Sequence, residues 1–142
     1  MSAFRGQYEH QMDGKGRVSL PSAFRRGTVD RFVLVQVQEP HLTLFPEPKW
    51  MEVEERLMDF GSAGRAEMNS VRALLSGLTE VSPDKQGRIL IPSDLQEKAE
   101  LDGSVLLLGM RDRVEIWDPD TFRSDVEGEQ ADLDAHVLRL TR

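Results

Sequence analysis

Residues 13–25 read DGKGRVSLPSAFR, and the pattern returns over residues 84–96 as DKQGRILIPSDLQ. At an offset of 71 the two stretches share Asp13/Asp84, Gly16/Gly87, Arg17/Arg88, Pro21/Pro92 and Ser22/Ser93. Val18/Ile89, Leu20/Ile91 and Phe24/Leu95 agree in apolar character. A period of about half the chain, longer than a solenoid unit, indicates two tandem copies of one small module. Asp13-Gly14-Lys15-Gly16 carries a hairpin-turn signal, because tight turns need residues that tolerate positive φ. Arg17-Val18-Ser19-Leu20 then alternates with period two, placing Val18 and Leu20 on one face and Arg17 and Ser19 on the other. Pro21 stops the strand, and Ser22 is the expected N-cap of a short helix holding Ala23 and Phe24. In the second copy Arg88-Ile89-Leu90-Ile91 is the strand, Pro92 the stop, and Ser93 with Gln96 has capping-box spacing.

Outward from these stretches the parallel continues. Residues 32–38 and 42–45 read as strands joined by Glu39-Pro40-His41, and a helix is expected from about residue 49 to 60. Its core stripe is Trp50, Val53 and Leu57. A second helix over about residues 65–75 presents Met68, Val71 and Leu75 and ends at Gly77. In the second copy Gly103 closes the short helix, and residues 105–108 and 114–117 pair across Arg111-Asp112-Arg113. At an offset of 72, Val33/Val105, Leu42/Val114, Leu44/Ile116 and Phe45/Trp117 match. Asp118-Pro119 is an N-cap followed by proline at the first helical position, opening a helix that contains Phe122. The expected organisation is a first repeat over residues 4–60, a connecting helix over 61–77, a second repeat over 78–125 and an acidic, flexible tail over 126–142. In that tail Leu133, Val137 and Leu140 fit an amphipathic turn as well as they fit disorder. The fold class is α+β, mainly β.

Bulk properties narrow the chemistry. The chain of 142 residues has no cysteine, which excludes disulfide and thiolate chemistry and is compatible with a reducing compartment. The N-terminus lacks the apolar core of a signal peptide, and no apolar run approaches the roughly 18 residues of a membrane span. A cytoplasmic protein is expected. Net charge is −7, which argues against nucleic acid if charge is spread evenly. It is not: residues 1–26 carry five basic side chains against two acids, and residues 120–142 carry three against six. Binding answers to the local field, and an oligomer can gather basic ends on one face.

The inventory for catalysis is thin. His10, His41 and His136 lie far apart without a carboxylate at ligand spacing, and a lone histidine at a turn or tail reads as a surface residue. Gly14-x-Gly16 lacks the context of a dinucleotide site, and no nucleophile elbow or zinc-protease motif occurs. No catalytic residue, metal, cofactor or small-molecule ligand is expected. What remains is the repeated D-x-x-x-R. Asp13 and Asp84 could simply close their own turns and pair with Arg17 and Arg88, a matter of about 0–1 kcal/mol each if exposed. Alternatively, each aspartate aims its arginine outward for bidentate contact with guanine or phosphate, with Lys15, Arg25, Arg26 and Arg5 as phosphate contacts. The residues alone leave both readings open.

F-R-G near the start, D-x-K-G-R before alternating apolar residues and proline, the second D-x-x-G-R-h-x-I-P, and the segments HLTLFPEPKW and RVEIWDPDTF together resemble the bacterial MraZ family, over residues 4–125. That family is similar to AbrB-type swapped-hairpin regulators. The resemblance implies two swapped-hairpin modules forming a pseudo-two-fold double-split β-barrel, assembled into a homo-oligomeric ring. It also implies a nucleoid-associated transcriptional regulator that binds repeated boxes in double-stranded promoter DNA upstream of its own division and cell-wall operon, as a repressor. Carried over by residue, the D-x-x-x-R positions are Asp13, Arg17, Asp84 and Arg88. Gln86 in place of Lys15 departs from the first copy and makes Arg17 the stronger DNA candidate and Arg88 the weaker. A second reading is an antitoxin-like module whose acidic tail binds a basic protein; a third is an oligomeric scaffold.

Overall fold

The computed structural model describes residues 3–25 and 30–142. Eight strands form two sheets, with five α-helices around them. In chain order these are β1 (Gln7–Gln11), β2 (Arg17–Ser19), a 3-10 turn (Ser22–Phe24), β3 (Phe32–Val35), β4 (Leu42–Pro46), α1 (Glu47–Gly61), α2 (Arg65–Ser76) and β5 (Thr79–Val81). There follow β6 (Arg88–Leu90), α3 (Ser93–Lys98), β7 (Ser104–Gly109), β8 (Val114–Trp117), α4 (Pro119–Val126), a second 3-10 turn (Glu127–Glu129) and α5 (Gln130–Leu140). The larger sheet runs β1-β7-β8-β4-β3-β5, the smaller is the ribbon β2-β6, and neither closes into a barrel.

Both sheets interleave the repeats. The local hairpin expected across residues 13–16 is replaced by a turn from which the strands diverge: β1 pairs with β7, and β2 pairs with β6. The register is reciprocal. Val18 pairs with Ile89, its own equivalent at offset 71, while Arg17 faces Leu90 and Ser19 faces Arg88. At the other contact Thr43 pairs with its equivalent Glu115 at offset 72, flanked by Leu42 with Ile116 and Leu44 with Val114. A pseudo-two-fold axis therefore passes through the Val18–Ile89 and Thr43–Glu115 pairs, and the strand order of the large sheet is unchanged when the two repeats are exchanged.

Apolar alternation sets the layers. Val18, Leu20, Phe24, Ile89, Ile91 and Leu95 from the ribbon side meet Leu34, Leu42, Leu44, Val105, Leu107, Val114 and Ile116 of the sheet in one core. The sheet's opposite face packs Val33, Val35 and Phe45 under Trp50, Val53, Leu57 and Leu74 of α1 and α2. On the same face Leu106 and Trp117 lie under Phe122 of α4. Covering both faces explains why β3 and β4 are buried at every position, as in sheets sandwiched between layers.

Several local expectations change. Pro21 and Pro92, not Ser22 and Ser93, occupy the N-cap positions, and neither short helix has a side-chain cap. Gln96 is used elsewhere, donating to the Ile91 carbonyl at 2.6 Å. Asp118 does cap α4, accepting from the Thr121 amide at 3.0 Å. The strand expected over residues 32–38 stops at Val35, and α3 ends at Lys98, before Gly103, with Glu100 taking positive φ. His41 is buried at 4 % exposure instead of lying at the surface. It stacks on Trp117 at 4.5 Å and reaches Glu115 at 3.2 Å. Its equivalent at offset 72, Arg113, lies over the Phe45 ring at 4.9 Å, so each repeat covers the other's aromatic residue. Where the tail reads equally as amphipathic or disordered, the chain is helical over Gln130–Leu140, with Val137, Leu138 and Leu140 exposed.

The ribbon's tight closure requires glycine at two places. Gly16 has φ +84°, and a Cβ there would sit 2.9 Å from the Ile91 carbonyl and collide with the Gln96 amide. Gly87 has φ +78°, and a Cβ would sit 2.7 Å from Cζ of Arg25. Gly16→Ala meets backbone, while Gly87→Ala meets a side chain that can move. Both should destabilise by about 1–3 kcal/mol, Gly16→Ala more than Gly87→Ala, as read by urea unfolding. Wild-type stability in Gly16→Ala would contradict this account.

Candidate nucleic-acid interface

Each turn leading into the ribbon is built by one aspartate. The Asp13 amide donates to the Arg17 carbonyl at 2.9 Å, and the Gly16 amide donates to the Asp13 carbonyl at 3.0 Å. Oδ1 of Asp13 accepts from the amides of Lys15 and Arg17, both at 2.9 Å. Its Oδ2 accepts from Nε of Arg17 at 2.8 Å. The second turn repeats every bond: Oδ1 of Asp84 takes the amides of Gln86 and Arg88 at 2.9 Å, and Oδ2 takes Nε of Arg88 at 3.0 Å. The two readings of the motif therefore coexist in one carboxylate, with one oxygen closing the turn and the other orienting the guanidinium.

The electrostatics follow from that geometry. The Arg17 backbone N–H, then its side chain and the Lys15 N–H, hold Asp13 down to about 2. Asp84 is lowered likewise, first by the Arg88 backbone N–H. Only Nε of each arginine is hydrogen-bonded among the described residues, leaving the two Nη groups with four N–H donors. Nη1 of Arg88 lies 3.8 Å from Oδ2 of Asp13, so Arg88 reaches across the ribbon and the charges of the two turns form one cluster.

Arg25 has a role that its charge alone does not disclose. Its Nε donates to the Leu20 carbonyl at 2.9 Å, and its guanidinium lies over Gly87. Gln96, its equivalent at offset 71, donates to the Ile91 carbonyl and lies over Gly16. Each repeat thus holds the other's turn. The amide of Leu20 donates to the Gly87 carbonyl and that of Ile91 to the Gly16 carbonyl, both at 2.9 Å, completing the ribbon.

The structure places the two turns at opposite ends of the short ribbon and brings Arg17 and Arg88, with Asp13 and Asp84 beside them, onto one face of it; Lys15 lies in the first turn, and Arg25 lies over the second. Arg5 stands apart: β1, roughly 17 Å of strand, separates it from the first turn, and its neighbour Phe4 pairs with Arg111. Arg26 lies outside the described residues. Two side chains at the site escape the motif reading. Lys85 is exposed in the second turn, one position earlier in the repeat than Lys15. Because it aligns with Gly14, an alignment of identities passes over it, yet it returns the charge that Gln86 removes. Leu90 is 50 % exposed on the ribbon; the alternating pattern had marked its face but no purpose for it.

The described residues include no helix long and apolar enough to cross a membrane. Comparison with known proteins finds the family model described as "MraZ protein, putative antitoxin-like" matching twice, over residues 3–72 and 74–142. That double match divides the chain at the internal repeat. A transcriptional regulator MraZ from Desulforamulus reducens is 36% identical over 140 residues, covering 96% of this chain and 99% of that protein. One from Carboxydothermus hydrogenoformans is 36% identical over 128 residues, covering 90% of each. Another, from Halothermothrix orenii, is 40% identical over 114 residues, covering 80% of each. The repeat, its two aspartate-anchored turns and these full-length matches agree: the chain belongs to the MraZ family of transcriptional regulators.

Proposed function

We propose that this regulator binds double-stranded promoter DNA through the outward face of its β2-β6 ribbon and the turns at its two ends. The observation that carries the reading is the adjacency of two arginines, each fixed at Nε by its own aspartate, with their Nη groups left for a ligand. A guanidinium fixed in this way loses little freedom on binding, and its planar fork matches the O6 and N7 acceptors of guanine in the major groove. Lys15 and Lys85, one in each turn, would meet the flanking phosphates. Interlocked ribbons of this kind fit a swapped-hairpin, double-split barrel, and a ring of such chains would offer one ribbon face per subunit to a row of repeated boxes. Multivalent attachment lets modest single contacts add up and lets the basic faces act together despite a net charge of −7. The expected site of action is the nucleoid of the cytoplasm, with repression of the chain's own operon as the outcome.

The family description also contains the word antitoxin, and the exposed Val137, Leu138 and Leu140 of α5 with their acidic flank could serve a basic protein partner. Two copies within one chain favour the DNA reading, since a barrel made in one chain needs no second subunit to complete it.

Three outcomes are expected. Arg17→Ala should weaken binding to the upstream DNA by at least about tenfold, in line with the 1–3 kcal/mol of a bidentate base contact, and Arg88→Ala comparably. Mobility shift at fixed salt reads this, and wild-type affinity in both variants would remove the arginines from the interface. Asp13→Asn separates orientation from charge. It makes the ribbon face more positive, so simple attraction predicts tighter binding, whereas the anchoring role predicts weaker binding.

The third concerns acid stability. Asp13 has a folded value of about 2 against an ordinary 3.8, so its contribution to stability is complete above about pH 4. It is lost as pH falls from 3.8 toward 2, and Asp84 acts in the same direction. Thermal unfolding followed between pH 5 and 2 should therefore show a shallower acid decline in Asp13→Asn/Asp84→Asn than in wild type.

A further inference from the structure

Leu90 is half exposed although Ile89 beside it is fully buried. It stands on the outward face of the ribbon, directly opposite Arg17, while Ser19 stands opposite Arg88. The face therefore consists of four side chains: two guanidinia on one diagonal, a leucine and a serine on the other. Side chains directly opposite on an antiparallel pair are about 4.5–5.5 Å apart, between one and two of the roughly 3.4 Å steps between stacked base pairs, so the two can reach neighbouring bases. A two-stranded ribbon fits the major groove, whose floor offers one apolar group, the C5 methyl of thymine. A leucine has nothing to offer a phosphate, and solvent exposure between two charges gives it no role in the fold.

We propose that Leu90 is a specificity-determining residue that contacts a thymine methyl next to the guanine taken by Arg17. This rests on the DNA reading above and deepens it. Because Ser19 occupies the equivalent position in the first repeat, a methyl group is read on one side of the pseudo-two-fold axis only. The two halves of the ribbon are then unequal readers, and a subunit has a defined direction on its box.

The test uses the full chain and its own upstream DNA, amplified with either dTTP or dUTP; the two fragments share a sequence and differ in the methyl. Wild type should bind the dUTP fragment about fourfold more weakly per methyl engaged, the worth of one buried methylene-sized group. Leu90→Ser, which copies the first repeat, should bind the two fragments equally, and Leu90→Val should keep part of the preference. Equal binding of both fragments by wild type, or a preference that survives Leu90→Ser, overturns the role of Leu90 while leaving the DNA reading intact. Failure of wild type to bind the dTTP fragment overturns both. Mass by light scattering is read alongside; an altered oligomer in Leu90→Ser with no methyl preference in wild type overturns the proposal in favour of a contact between copies.

Discussion

The positive-φ glycine of each turn lies beneath a side chain of the opposite repeat: Gly16 under Gln96, Gly87 under Arg25. This reciprocal hold, sealed by the amides of Leu20 and Ile91 reaching across to the Gly87 and Gly16 carbonyls, is the constraint on which the rest depends. It fixes the register of β2 on β6, and that register drives Val18 and Ile89 inward and Arg17, Ser19, Arg88 and Leu90 outward. A slip of one residue would invert both sets. The ribbon's outward face and the core are consequences of the same four backbone and side-chain contacts.

The charges along the ribbon show how a protein of net −7 can present a locally basic surface. Asp13 and Asp84 offset Arg17 and Arg88 at short range, and the two lysines of the turns add the surplus. Each aspartate is engaged at its arginine's Nε and at the turn's backbone, so no hydrogen bond among the described residues occupies the Nη groups. A similar economy occurs at the other end of the axis. Burial of Glu115 opposes its ionisation, but hydrogen bonds from His41 and Trp117 outweigh that and keep its carboxyl below the ordinary value. Asp112 is held at about 2 by Arg113 and Lys49.

The repeat was legible because both copies carry Asp, Gly, Arg and Pro at fixed spacing, and the same turn geometry uses the Asp, Gly and Arg in each. The strands were legible from alternation, and α4 from Asp118-Pro119. Strand partnership was not. The turn chemistry of residues 13–16 specifies a reversal and says nothing about whether the emerging strand returns to its predecessor or crosses to the other repeat. That choice is made by long-range burial of Val18 against Ile89. The caps were misread for a related reason: proline fixes the backbone entry to each short helix, which leaves Ser22 and Ser93 without the task that serines usually perform there. Arg25, Gln96 and His41 were opaque because polar residues used for packing carry no periodic signature. Lys85 was hidden by a one-position shift.

Interleaving also constrains when the molecule can form. Gln7 pairs with Leu108 and Arg17 with Leu90, so strands made first wait for partners made last. The α1–α2 hairpin and the β3–β4 and β7–β8 pairs bring neighbours in sequence together. On the ribosome the first repeat emerges with Val18, Leu20 and Phe24 uncovered, and they stay so until nearly the whole chain is out. Such a topology has high contact order and folds late and slowly. It is in effect a dimer whose subunits have been joined, and its two halves are safe from mispairing only because the tether keeps each one's intended partner nearest.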